Sequence, residues 1–293
     1  KTAIEAAAAA AIASGGYLYF TPGKTYAFTT LSLPANLNIR SHGAILRDKG
    51  TNTGATVSVV FGDNTRADDV TITSPGTETN TDLFSFGDGF YANSFTVESD
   101  TQHAIGGGTC TGQDIRIGYF RSRKVDRPLH FYNQATGAGE QTTGSWIGYL
   151  DVENYVRAFR ADYCYGFVIG RVRAYTRSPN AVEDTAGQNG ILIQGCSFFE
   201  IGDIDCEGAP EHVLRVGGSP HANCISIGFT IGHIKARNSG GCPLKINPTR
   251  LASVGVTEKA SGWSVAGITG YDCGNNANEG NQELVRLSHA RNG

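Results

Sequence analysis

Between Leu129 and Leu287, apolar and polar positions alternate in two phrases that recur five to six times. The first is apolar-x-apolar: Leu129-His130-Phe131, Phe159-Arg160-Ala161, Ile191-Leu192-Ile193, Leu214-Arg215-Val216, Leu244-Lys245-Ile246 and Val285-Arg286-Leu287. The second reads aromatic-x-Ile-Gly-x-Ile-x-Ala at residues 167–174, 199–206 and 229–236, with looser copies at 263–270 and 145–152. Period-two alternation predicts short strands with the apolar residues turned inward, and the glycine predicts a bend between two of them. Apolar residues three and four apart, which an amphipathic helix needs, are missing. Constant strands separated by loops of varying length are the mark of a solenoid. The leucine-rich signature is absent, so the pattern predicts an all-β, right-handed parallel β-helix of three short strands per turn.

The segment before this array is less regular but still carries rungs at 57–61, 70–72, 83–86 and 95–97. Gly106-Gly107-Gly108 reads as a loop, and it lacks the strand-loop-helix setting of a phosphate-binding glycine loop. At the start, Thr2-Ala3-Ile4-Glu5 has the form of a capping box opening an alanine-rich helix that ends at Gly15-Gly16. A helix there would cap the first coil, which otherwise exposes its core and an unpaired edge. With no linker or compositional break, residues 1–293 form one expected domain. It comprises a cap helix (1–16), irregular early rungs (17–128) and regular rungs (129–287).

The helix, Gly15-Gly16, the strand Tyr17-Leu18-Tyr19-Phe20 and the turn Thr21-Pro22-Gly23-Lys24-Thr25-Tyr26 resemble the pectin-lyase-like superfamily. Within it they are most similar to the pectate-lyase-3 and bacteriophage tailspike depolymerase group, with Thr21 where that pattern has a first proline. Residues 31–34 and 37–44 continue the likeness; beyond them it rests on the repeat pattern alone. The resemblance implies a polysaccharide-degrading enzyme, a homotrimer, a location outside the cell or on a virion tail, and further sequence past the β-helix. It does not fix the reaction, because one fold hosts lyases, hydrolases, epimerases and binders.

At 40% hydrophobic and 17% charged, the chain can bury a substantial core. A net charge of −3 argues against a nucleic-acid or anionic-membrane partner. There is no membrane-spanning run and no leader before Lys1, and the lack of any Met points to a processed or trimmed chain. The seven cysteines show neither Cys-x-x-Cys nor zinc spacing, and read as small buried thiols. Cys164 and Cys196 are expected to stack on successive coils, with Cys206 in the inward slot held elsewhere by Ala174 and Ala236. The histidines are scattered, so neither a metal nor another cofactor is expected.

Aligning the rungs turns outward positions into columns, one residue per coil at about 4.8 Å. The first strand gives His130, Arg160, Leu192, Arg215, Lys245, Arg286 beside Tyr132, Asp162, Gln194, Gly217, Asn247, Ser288. Long connections at 133–144, 176–189 (with Glu183 and Asp184) and 247–262 flank this face, which makes it the expected groove for an extended polymer. Its cations suit a polymer carrying carboxylates. In β-elimination from a uronic acid, Arg or Lys neutralises the carboxylate, a His, Tyr or Lys takes the acidified C–H proton, and an acid serves the leaving oxygen.

The expected catalytic set is therefore His130, Tyr132, Arg160, Asp162 and Arg215. Lys245, Gln194, Asn247, Glu183, Asp184 and Arg286 are the expected binders of an acidic bacterial capsular or exopolysaccharide. Alternatively, the same cations only keep an exposed sheet soluble.

Two more readings stay open. The third strand offers Arg121, Asp151, Arg173, Asp205, Lys235 beside Arg123, Glu153, Tyr175, Glu207, Arg237. Asp151/Glu153 or Asp205/Glu207, roughly 6.6 Å apart along a strand, could serve a glycoside hydrolase, as could Asp162, Glu183 or Asp184. Alternating signs down those columns favour ordinary cross-strand pairing. His212 and His221 are lesser candidates, and Asp203 and His233 read as turn residues. The last reading is a carbohydrate-binding or adhesin β-helix without catalysis.

Overall fold

The computed structural model describes residues 2–51, 56–77, 82–101, 106–132, 141–176, 188–217, 226–247, 260–274 and 284–287; for 141, 142 and 286 it describes the backbone. One helix, α1 (Thr2–Ala13), precedes a right-handed parallel β-helix. A 12-stranded and a 10-stranded sheet run along it, with neighbouring strands hydrogen-bonded in parallel.

Strands Arg116–Arg123, Trp146–Glu153, Val168–Tyr175, Glu200–Glu207, Thr230–Arg237 and Ser264–Tyr271 form half of the larger sheet. The smaller sheet carries His130–Tyr132, Phe159–Asp162, Ile191–Gln194, Leu214–Gly217, Leu244–Asn247 and Val285–Leu287. The expected registers hold: His130, Arg160, Leu192, Arg215, Lys245 and Arg286 pair in sequence, as do Tyr132, Asp162, Gln194, Gly217 and Asn247.

The expected three short strands per turn take a different form. The two segments joined at the glycine bend are one continuous ladder, because hydrogen bonding passes through the bend. In Val168–Tyr175 the inward Ile169 and Val172 enclose two consecutive exposed residues, Gly170 and Arg171, which is where the period slips. Glycine is needed there: a Cβ at Gly170 would stand 2.6 Å from the Gly148 carbonyl oxygen, and one at Gly202 only 1.9 Å from that of Gly170. On the third side, among the described residues, a short ladder joins Gln141–Thr142 to Cys164–Tyr165 and is extended by single bridges Tyr165 to Ser197 and Ile227 to Ser261.

Gly106–Cys110 is a strand of the smaller sheet, not a loop. Its glycines answer to neighbours: a Cβ on Gly107 would sit 2.1 Å from the Pro128 carbonyl oxygen, and one on Gly108 2.2 Å from the Phe84 ring. That ring belongs to a buried cluster of Phe61, Phe84, Phe86, Phe90, Phe95 and Phe120 inside the early coils. Further along, Phe167, Phe199, Phe229 and Trp263 stack face to face at centroid spacings of 5.1, 4.8 and 6.1 Å.

α1 buries Ala8 and Ala11 against the first strands and ends on Gly15 in the left-handed region (φ 66°). Glu5, expected to cap its own helix, reaches across to accept a hydrogen bond from the Ser32 N–H (3.4 Å), tying the helix to the first coil. Five of the six described cysteines are buried and all six are free thiols. The Cys164 N–H donates to Cys196 Sγ (3.3 Å), and Cys206 lies in register between Ala174 and Ala236.

Candidate active site on the smaller sheet

Parallel pairing sets His130 beside Arg160, and Tyr132 beside Asp162, on adjoining coils. The four side chains converge diagonally. His130 Nε2 lies 2.7 Å from Asp162 Oδ2, which also receives Arg160 Nε at 2.7 Å. An Arg160 terminal nitrogen donates to Gln194 Oε1 on the following coil (2.9 Å). The Tyr132 ring sits 5.3 Å from the imidazole. His130 is 5% exposed and Asp162 2%, whereas Arg160 is partly open to solvent and Tyr132 half-buried.

With Nε2 given to the carboxylate, His130 Nδ1 is shut from solvent and has no hydrogen-bond partner among the described residues. Burial pushes the imidazole pKa below its ordinary value; Asp162 opposes this, and Arg127 and Arg160 add to it. The ring is thus neutral near pH 7, fixed at one nitrogen and basic at the other.

That depressed pKa has a stability consequence. The folded value lies below the unfolded 6.5, so as pH falls the unfolded chain takes up this proton first. Stability contributed by neutral His130 is present above pH 6.5, is lost on descending below it, and levels off below the folded pKa. The melting temperature should therefore fall between pH 7.5 and 5 by more in the native chain than in His130→Gln, whose amide does not titrate. Equal falls in both would refute the assignment.

Two arginines outside the columns join the cluster. Arg127 and Arg157 each stand three residues before their outward partner, His130 or Arg160, in the turn leading into the strand. Arg127 contacts Asp82 (3.8 Å), and burial pushes Arg157 below its ordinary pKa despite nearby Asp126 and Asp162. Their shared offset is the sequence signal that would have revealed them. At the same offset in the next coils stand Asn189, His212 and Cys242. The first two cap the next coil: Asn189 Oδ1 accepts from His212 N–H (3.3 Å), and His212 Nδ1 from Cys242 N–H (3.0 Å).

The remaining expected residues lie apart from this cluster. Buried Leu192 separates Arg160 from Arg215, which pairs with Glu211 Oε1 at 3.3 Å. Lys245 follows and is itself buried; Asn247 lies next to Gly217. The column is thus two partnered groups divided by an apolar residue, rather than an open run of cations. Arg286 pairs through its backbone, and Glu183, Asp184, His221 and Ser288 lie outside the described residues.

No protein-family model, curated protein or solved structure matches this chain.

The carboxylates of the larger sheet are held by neighbours. Asp151 receives Arg173 (2.9 Å) and the Tyr119 hydroxyl (2.9 Å), and Glu153 pairs with Arg123 (2.9 Å). Arg237 spans Asp205 (2.9 Å) and Glu207 (3.0 Å). Tyr119 is pushed up to about 12, by burial first and by its bond to Asp151 second. This is cross-strand pairing, and each of these four carboxylates is paired with a cation. His233 sits at the glycine bend, its N–H donating to Asp203 Oδ1 (3.0 Å). Among the described residues no three His, Cys, Asp or Glu side chains converge on a cation site.

Proposed function

We propose that this protein depolymerises an acidic polysaccharide by β-elimination, with His130 as the base. The observation that carries the reading is the buried His130–Asp162 pair, neutral at the ring and surrounded by Arg127, Arg157 and Arg160. A base oriented by a carboxylate next to guanidinium groups suits proton removal beside a substrate carboxylate.

In this scheme Arg160 neutralises the uronate carboxylate and stabilises the developing enolate. Binding of the polymer must uncover His130 Nδ1, which is shut from solvent in the free protein, and Nδ1 then removes the proton on the carbon bearing that carboxylate. The electron pair forms the ring double bond and the bond to the glycosidic oxygen at the neighbouring carbon breaks. Tyr132 protonates the departing oxygen. The imidazolium, held by Asp162, returns its proton to the phenolate or to water, and both groups are restored.

Hydrolysis fits less well. Asp162 is 2% exposed, its Oδ2 held by His130 and ion-paired with Arg160, and Glu211 is buried against Arg215, so neither carboxyl stands open to a substrate. The burial of His130 and Asp162 supports one competing account, a lock joining two coils on a surface that only binds carbohydrate. The tailspike likeness of residues 15–26 adds location on a virion tail or outside the cell, and a trimer, to the proposal.

Incubation with a panel of acidic bacterial polysaccharides decides among these. Rising ultraviolet absorbance from an unsaturated uronate is the expected result. New reducing ends without absorbance would transfer the reaction to the carboxylates. Binding without either signal would establish the lectin-like account.

A further inference from the structure

We propose a second acidic-glycan site on the larger sheet, separate from His130 and independent of whether that cluster catalyses. In the outward column at the start of the long strands, Asn38, Arg66, Tyr91, Arg116 and Trp146 pair in succession from coil to coil. Tyr17 precedes the strand pairing Leu18 with Ile39, and so begins the same column. Tyr17, Tyr91 and Trp146 are 55%, 41% and 42% exposed, which leaves their ring faces open to a ligand. At the first coils the column opens into a hollow lined by Tyr17, Asn38, Arg40, Arg66, Tyr91 and Asn93.

The charges there are unbalanced. Arg40 lies over the Tyr17 ring, 4.5 Å from its centroid. No carboxylate among the described residues pairs with Arg40, Arg66 or Arg116, whereas the arginines at 123, 173 and 237 on the same sheet are all paired. One acid, Asp68, also lines the hollow; its Oδ1 accepts from the Ser41 (3.0 Å) and Asp69 (2.7 Å) N–H groups and its Oδ2 lies 3.7 Å from His42 Nδ1.

Arginine forks recognise carboxylates in two-point fashion, and aromatic faces take the apolar face of a pyranose. From Arg66 to Trp146 they alternate coil by coil at about 4.8 Å, so arginines and aromatics each recur about every 9.6 Å, which suits a polymer offering a carboxylate and a sugar face on alternate residues. A net charge of −3 attracts neither a nucleic acid nor a polyuronate at long range, so the choice rests on local fit, and aromatic faces for pyranose rings beside arginine forks for carboxylates favour a hexuronate chain.

The test is calorimetric titration of the full chain with a galacturonate hexamer, in a His130→Gln background so that the probe is not consumed. A galactose hexamer and a single-stranded oligonucleotide serve as comparisons. The expected result is binding of the acidic hexamer, weakened about tenfold or more by Arg66→Gln/Arg116→Gln with circular dichroism unchanged. Trp146→Phe, which keeps an aromatic face, should retain it. Absence of binding, equal binding of the neutral hexamer, tighter binding of the oligonucleotide, or indifference to the double substitution would each overturn the proposal. None of these outcomes depends on turnover, so this site and the elimination reading fail separately.

Discussion

Phe199→Ala is expected to destabilise the protein by about 3–5 kcal/mol, the range for emptying an aromatic site in a packed core. The Phe199 ring is 1% exposed and lies between Phe167 at 5.1 Å and Phe229 at 4.8 Å, both within 4° of parallel. Removing it takes the contact from both sides, and rings fixed to hydrogen-bonded strands cannot close the gap. Phe199→Leu refills most of the volume and should cost about 1–2 kcal/mol. Urea unfolding of the two variants checks this. Because each coil touches only its neighbours, the alanine variant should lose structure around this coil first. A cost below about 1 kcal/mol would mean that the stack contributes little cohesion.

His130→Gln is expected to lower turnover of the acidic polymer by about 10²–10⁴-fold, the usual contribution of a general base. Asp162→Asn is the more discriminating variant. It keeps an oxygen opposite His130 and Arg160 but removes the charge that raises the imidazole pKa. The ring should become harder to protonate, turnover should fall, and the acid limb of kcat/KM should move to lower pH. A purely structural lock would give both variants a lower melting temperature with unchanged turnover and pH profile where they remain folded. Undiminished elimination by His130→Gln would place the base elsewhere.

The β-helix was legible because inward apolar residues keep period two and the Ile-Gly phrase marks each coil. Those signals are local, and parallel stacking turns them into registers directly. Gly106-Gly107-Gly108 was misread because its need for glycine comes from Phe84 and Pro128, distant in sequence, while glycine runs ordinarily signal loops. The registers of His130 with Arg160 and of Tyr132 with Asp162 followed from the columns, but the diagonal contact of His130 with Asp162 and its burial did not, since a column shows which residues are neighbours and not how they turn or how deeply they sit. Arg127 and Arg157 escaped notice because they belong to turns, where alternation gives no guide. Leu192 stood in the column from the outset; its effect, dividing the cations into two groups, depends on what each cation is paired with.

Every strand in the two long sheets points the same way, and every coil steps in the same direction along the axis. The surface therefore has polarity. A polymer laid along it from Tyr132 towards Asn247 passes phenol, then amide, bare backbone and amide in that order, and the same polymer reversed passes them backwards. Sugar chains also differ between their two ends, so only one sense of threading can match group to group. A ladder of this kind distinguishes head from tail in anything it holds.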